Sequence, residues 1–152
     1  MPKEKFTYDY PRPCVTVDVV IFSNDGYLLC IERGKDPFKG LLALPGGHVE
    51  KDEDIDLAAE RELREETGLS LRQSGLRQLF TVGSPYRDPR GWYITVVYGG
   101  FIDLPAKDIW IKAGDDAAAV KWKNLNWCAK KNFAFDHFGI IKRARAMFLQ
   151  VL

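Results

Sequence analysis

Cysteine is scarce in this chain: Cys14, Cys30 and Cys128 are the only three in 152 residues, odd in number and without metal-ligand spacing. That excludes a disulfide framework and a zinc knuckle, and it suits a reduced compartment, so the cytoplasm is the expected location. Cys14 and Cys30 fall in apolar, strand-like runs, where a free thiol is expected to pack as a small buried hydrophobe. Long apolar runs are also missing. No stretch approaches the roughly 20 residues of a membrane span, and residues 1–13 lack the apolar stretch of a secretory signal. Excess charge of one sign is absent as well, with 22 Lys+Arg against 21 Asp+Glu and a formal net charge of +1. No broad field therefore points to a nucleic-acid backbone or a membrane surface as partner. What remains is a composition with 46% hydrophobic and 28% charged residues, which fits one folded domain over residues 1–152.

Residues 14–22, CVTVDVVIF, are rich in β-branched side chains, and Ser23-Asn24-Asp25-Gly26 supplies a turn before Tyr27–Arg33, so the pair reads as a hairpin. A loop from Gly34 to Gly40 leads to a short apolar piece, Leu41–Leu44, after which Pro45-Gly46-Gly47 turns the chain sharply. Asp52 or Asp54 caps a helix over Ile55–Thr67, with Leu57, Ala58 and Leu63 on one flank and Gly68 ending it in a left-handed conformation. Leu76–Val82 and Trp92–Ile102 read as strands, the second apolar on both faces and so covered on both sides. The loop between them, Ser84–Gly91, is a candidate binding loop. A last strand is expected near Ala119–Lys123, then a final helix capped by Asp136 that carries Phe138, Ile141, Arg145 and Phe148. Strands interleaved with two helices predict an α/β fold, a sandwich around a mixed sheet.

On the Ile55–Thr67 helix, Glu62, Glu65 and Glu66 stand three and four residues apart and share one flank. Like charges at this spacing cost an isolated helix roughly 0.2–0.5 kcal/mol per pair, so a compensating cation is expected. An all-oxygen donor set favours Mg²⁺, with Mn²⁺ as a substitute, over Zn²⁺. Arg61 is placed to pair with Glu53 or Glu65 and fix the preceding loop against the helix. That loop, Gly46–Asp52, lets backbone atoms approach a phosphate without side-chain obstruction. An acidic helix alone is usually a solvated face, but here it sits inside a longer pattern.

Gly47, Glu53, Arg61, Glu62, Leu63, Glu65, Glu66, Gly68 and Leu69 satisfy Gly-x5-Glu-x7-Arg-Glu-U-x-Glu-Glu-x-Gly-U, with U aliphatic, at every defined position. From average residue usage a chance match has a probability of about 10⁻⁹ per starting position. The chain thus resembles the Nudix hydrolase family, and the likeness runs from about Val15 to the final helix. The resemblance implies the family's α/β/α sandwich. It also implies Glu62 and Glu66 as main metal ligands, Glu65 touching the metal or its water, the Gly46 carbonyl completing the shell, and Glu53, Arg61 and Gly68 as structural residues of the box. The implied reaction is attack of an activated water on one phosphorus of a nucleoside diphosphate linked to another group. The segments DPFKGLLALPGGHVE, SPYRDPRGW, AGDDAA and FAFDH resemble the ADP-ribose pyrophosphatase branch, which implies hydrolysis of ADP-ribose to AMP and ribose 5-phosphate.

Outside the box, Arg87 and Arg90 suit a phosphate or ribose, Tyr86 or Trp92 an adenine, and the Gly47 backbone the substrate. Asp115 and Asp116 read either as loop carboxylates that orient or deprotonate water, alongside Glu62 and Glu65 as catalytic residues, or as a turn or helix cap. His48 is expected at the surface, His137 in the first turn of the last helix or, as the resemblance to the ADP-ribose branch implies, lining the pocket with Asp136, and Trp110, Trp122 and Trp127 in packing roles. A small-molecule nucleotide is the expected partner, with no nucleic acid and no membrane, and the resemblance implies a homodimer to which Phe6–Tyr10 contributes. Two other functions fit the same box: a housecleaning hydrolase of oxidised nucleoside triphosphates, and a non-catalytic sensor of ADP-ribose. The intact carboxylates oppose the sensor, as does a length that leaves no room for a winged helix.

Overall fold

Alternating aliphatic residues make Cys14–Ser23 the first and central strand, β1, of a computed structural model that describes residues 4–71, 75–114 and 116–149. It is followed by β2 (Tyr27–Arg33), β3 (Leu42–Ala43), β4 (Gly46–His48), helix α1 (Ile55–Thr67), β5 (Arg77–Val82), β6 (Tyr93–Ile102), β7 (Ala117–Asn124) and helix α2 (His137–Leu149). The strands form one mixed sheet in the order β3-β2-β1-β6-β5, with β4 also paired to β1 and β7 to β2. β1 and β6 run parallel in unbroken register from Cys14 opposite Tyr93 to Ser23 opposite Ile102, and the other pairings are antiparallel.

Side chains alternate across a strand, so β1 serves two cores at once. Val17, Val19 and Ile21 pack with Ala58, Ala59 and Leu63 of α1. Val20 and Phe22 face the other way, onto Ile140, Ile141 and Ala144 of α2. A sheet covered on both faces by helices is the expected α/β/α sandwich. Asp18 is the exception on β1, a buried carboxylate on the α2 side.

Of the two candidate caps, Asp54 is the one used: its carboxylate accepts the Asp56 N–H at 2.9 Å, while Asp52 takes a left-handed turn at φ 64°. Gly68 closes α1 at φ 71°, and its N–H reaches the Arg64 carbonyl. Several expectations need correction. Leu57 points to solvent, and Ala59 takes its place on the buried flank. Cys14 is exposed, because the first two residues of β1 lie beyond both helices, whereas Cys30 is buried and its thiol pKa is pushed up by that burial. The glycines expected in a bare turn form β4, with Gly46 opposite Asp18 and Gly47 opposite Val17. Asp136 caps α2 through its backbone carbonyl, which accepts from Gly139 and Ile140, while its carboxylate is turned elsewhere. Trp127 is exposed, and Trp122 packs beside the α1 core as expected.

Leu63 is fully buried and pins the acidic helix to the sheet. Leu63→Ala should lower the unfolding free energy by about 2–5 kcal/mol in chemical denaturation. A loss below about 1 kcal/mol would show that α1 is held by something other than this contact.

Candidate active site

One guanidinium organises the acidic flank of α1. Arg61 donates from Nε to Glu53 at 2.6 Å and from Nη2 to Glu53 at 3.0 Å and to the His48 carbonyl at 2.9 Å. Its Nη1 donates to Glu62 Oε1 at 2.8 Å and to Glu65 Oε2 at 3.1 Å. Both pairings foreseen from the sequence therefore exist together, and a third, to Glu62, joins them. The arrangement holds the Glu53 carboxyl below the usual carboxylate range and the Arg61 pKa above its own. Glu53 Oε1 also accepts the Glu50 N–H, which closes the loop between β4 and α1.

Glu66 points inward from the same flank, and its Oε2 accepts the Gly46 N–H at 3.0 Å. Burial, with Glu62, Asp18 and Asp116 nearby, pushes its pKa up to about 8. Burial also raises Glu62, against the lowering effect of Arg61. β4 passes so close to α1 that a Cβ on Gly47 would push the Glu62 carboxylate out of its present position.

The three glutamates share a flank without meeting at one point: the Glu62 side chain is 13% exposed and that of Glu65 54%. Among the described residues no three acidic, histidine or cysteine side chains are gathered into a closed cage. Arg61 Nη1 draws one oxygen of Glu62 and one of Glu65 toward itself, and Glu66 turns away to Gly46. Glu62 Oε2, Glu65 Oε1 and Glu66 Oε1 stay uncommitted among the described residues. An open row of oxygens suits a hard cation that keeps several waters and takes further ligands from a substrate.

Two cavities meet at Glu66. The smaller, about 80 Å³, lies between β4 and the start of α2. Arg33, Arg87 and Arg90 line it together with Phe135 and the buried Asp18 and His137. Arg87, only 5% exposed, donates to both oxygens of Asp136 at 2.8 and 2.6 Å. Arg90 is held by Asp88 at 3.0 and 2.7 Å, and its guanidinium lies 4.9 Å from the Tyr93 ring and 5.0 Å from that of Phe135. Arg33 stacks on Phe135 from 4.9 Å and has no carboxylate partner among the described residues. At the back, the Leu44 N–H donates to His137 Nδ1 at 3.0 Å, which leaves the proton on Nε2, 3.4 Å from Asp18 Oδ1. Thr95 donates to the other Asp18 oxygen at 2.7 Å. Burial lowers the His137 pKa and keeps the imidazole neutral.

The larger cavity, about 560 Å³, contains Glu62, Glu65, Asp116 and the exposed Trp110. Asp116 makes only a solvent-exposed pair with Lys35 at 3.5 Å, and Asp115 lies outside the described residues. Of the residues expected to bind substrate, Arg87, Arg90 and Gly47 come together at the smaller cavity, whereas Tyr86, 95% exposed, and Trp92 line neither. His48 places its ring 5.5 Å from Tyr93 and its Nε2 3.2 Å from the Tyr93 hydroxyl. Arg33, Phe135 and Asp18 were not foreseen, because their partners are far away in sequence. The one available signal was Asp18, an acid in the middle of an otherwise apolar strand.

The raised Glu66 pKa gives a pH dependence with a defined sign. A carboxyl titrating near 4.5 when unfolded and near 8 when folded stabilises the fold fully below pH 4.5, and that contribution is lost as pH rises through 8. In chelator-treated buffer, Glu66→Gln should therefore gain stability over the parent between pH 5 and pH 9, by a few kcal/mol in order of magnitude. A stability difference that stays flat across this range in denaturation curves would refute the assignment.

With this geometry in view, the similarity to known proteins is extensive. Residues 12–144 match the family described as NUDIX domain. An ADP-ribose pyrophosphatase of Methanocaldococcus jannaschii is 43% identical over 133 residues, which cover 88% of this chain and 73% of that protein. An ADPR responsive transcriptional repressor, NtrR of Acinetobacter baylyi, is 38% identical over 143 residues, covering 91% of this chain and 55% of the repressor, so the chain spans little more than half of that relative. Among solved structures, the NUDIX domain of Shewanella oneidensis NrtR complexed with ADP ribose gives a TM-score of 0.82 at 31% identity, covering 93% of this chain and 94% of that one. A match that takes in every strand, α1 and the start of α2 establishes that the chain belongs to the Nudix family.

Proposed function

We propose that this Nudix protein hydrolyses ADP-ribose to AMP and ribose 5-phosphate with the help of a divalent cation. The carrying observation is the row of three carboxylates, each with one oxygen uncommitted among the described residues, where two cavities both reach Glu66. A diphosphate bearing a group at each end suits a site of that shape. The likeness to an ADP-ribose pyrophosphatase and to a domain complexed with ADP ribose supports the choice of substrate.

Glu62, Glu65 and Glu66 would hold Mg²⁺, or Mn²⁺ in its place, and the Gly46 carbonyl is the further donor proposed. Such a cation neutralises the diphosphate and makes a bound water easier to deprotonate. The protein's own groups supply the rest. Arg61 keeps the carboxylates in place, and the cluster of Arg33, Arg87 and Arg90 attracts the anion and orients it. Asp116, on the rim of the larger cavity, is the proposed acceptor for the proton of the attacking water. Water oxygen bonds to one phosphorus, the bridging P–O bond breaks, and the departing phosphate keeps the bridging oxygen.

The similarity to an ADP-ribose-responsive repressor favours one other reading, in which the domain binds ADP-ribose without cleaving it. Turnover separates the two. Purified protein with Mg²⁺ should release AMP from ADP-ribose faster than it acts on NADH, other nucleotide sugars or 8-oxo-dGTP, and chelation should stop the reaction. Glu65→Gln and Glu66→Gln should each lower kcat at least about 100-fold while the circular dichroism spectrum is retained. Tight binding of ADP-ribose with no product would transfer the case to the sensor, and full turnover by both variants would remove the carboxylates from the mechanism.

A further inference from the structure

The segment after residue 109 docks onto the C-terminal end of α1. Lys112 donates its N–H to the Thr67 carbonyl at 2.8 Å, and Gly114 donates to that of Glu66 at 3.2 Å. The approach is so close that a Cβ on Gly114 would run into the Glu65 carbonyl. This docking fixes Trp110 over Gly68, whose Cβ, were there one, would lie 3.0 Å from Trp110 Cζ3. The indole is nevertheless 69% exposed, and it walls the same cavity as Glu62, Glu65 and Glu66. Sequence reasoning gave Trp110 a packing role. The structure instead leaves a large apolar ring in water beside a row of carboxylates, anchored along one edge.

We propose that Trp110 is the platform on which the substrate's nucleobase stacks, with Lys112 supplying positive charge on the same wall. The inference rests on the hydrolase reading of the carboxylate row and deepens it by assigning the two cavities to the two halves of the substrate. Their sizes set the assignment. The larger, about 560 Å³, lies within the roughly 300–1,000 Å³ of ordinary ligand sites, and the smaller, about 80 Å³, lies well below it. A planar base belongs in the former, against an aromatic face. The latter is too small for a base, and its arginines, of which Arg87 and Arg90 are paired with Asp136 and Asp88 while Arg33 has no carboxylate partner among the described residues, direct the phosphate of the other half of the substrate to its mouth. The two aromatics expected to stack on adenine, Tyr86 and Trp92, stand outside both cavities.

The test titrates AMP and ribose 5-phosphate separately onto the full chain with Mg²⁺ present, and measures ADP-ribose kinetics alongside. Trp110→Ala should weaken AMP at least about tenfold, leave ribose 5-phosphate within about twofold, and raise KM for ADP-ribose with kcat changed less than about threefold. Trp110→Phe, which keeps a ring at that position, should restore AMP affinity to within about threefold. AMP binding that is absent from the parent, or equal in parent and Trp110→Ala, overturns the platform even if ADP-ribose is hydrolysed. A Trp110→Ala protein that sediments as a smaller species yet binds AMP normally assigns the indole to a contact between copies of the chain and overturns it too. Failure of the parent to hydrolyse ADP-ribose would sink the hydrolase reading, and the AMP titration would still decide the role of Trp110.

Discussion

The fork of Arg61 is the interaction on which the site depends. Five hydrogen bonds leave one guanidinium for the loop carboxylate Glu53, the helix carboxylates Glu62 and Glu65, and the backbone of β4. Without it, like charges would crowd the last two turns of α1, and β4 would keep only the Gly46–Glu66 hydrogen bond as its polar tie to the helix among the described residues. A lysine could not replace it, since an ammonium lacks the planar set of donors that meets several acceptors in fixed directions. Glu53 gives both of its oxygens to the guanidinium, whereas Glu62 and Glu65 each give one and keep the other uncommitted among the described residues.

A second constraint is the placement of polar groups within the sheet. Asp18 falls on the α2 face of β1 by simple alternation, where its neighbours Val20 and Phe22 enter the core. A bare carboxylate there would be costly, and the cost is offset by Thr95 on the adjacent strand and the neutral His137 at the start of α2. Because the Leu44 backbone donates to the other ring nitrogen, three separate elements are registered against the imidazole. The floor of the arginine-lined cavity is thereby rigid before any ligand arrives.

Local patterns in the chain were sufficient for most of the architecture. The α1 boundaries, its Gly68 cap, the both-faced burial of β6 and the Arg61–Glu53 pairing all follow from spacings of eight residues or fewer, or from a continuous apolar run. What escaped was set by tertiary contact. Gly46 and Gly47 look like a turn in isolation and become a strand only because β1 offers an edge to pair with. Asp136 stands at the start of α2 as expected, but its carboxylate goes to Arg87 instead of the helix N–H groups. Trp110 has the composition of a core residue, and only the docking of its segment onto α1 exposes it. Arg33 and Phe135 meet through folding alone, and nothing near either residue in the chain announces the contact.

Phe135 adopts a left-handed backbone at φ 52°, a conformation that disfavours an aromatic residue, and its ring is wedged edge-on against Phe38 at 4.8 Å while two arginines rest on it. The chain's path between β7 and α2 therefore sets where Arg33 and Arg90 share a ring, alongside the anchors each has at Pro37 and Asp88. Lineages that lengthened or shortened this connection by one residue would swing the ring away and dissolve the cationic wall, with every box residue intact. The makeup of the arginine-lined cavity is thus open to change by insertion and deletion at a distance from the acidic helix, with the carboxylate row left as it is.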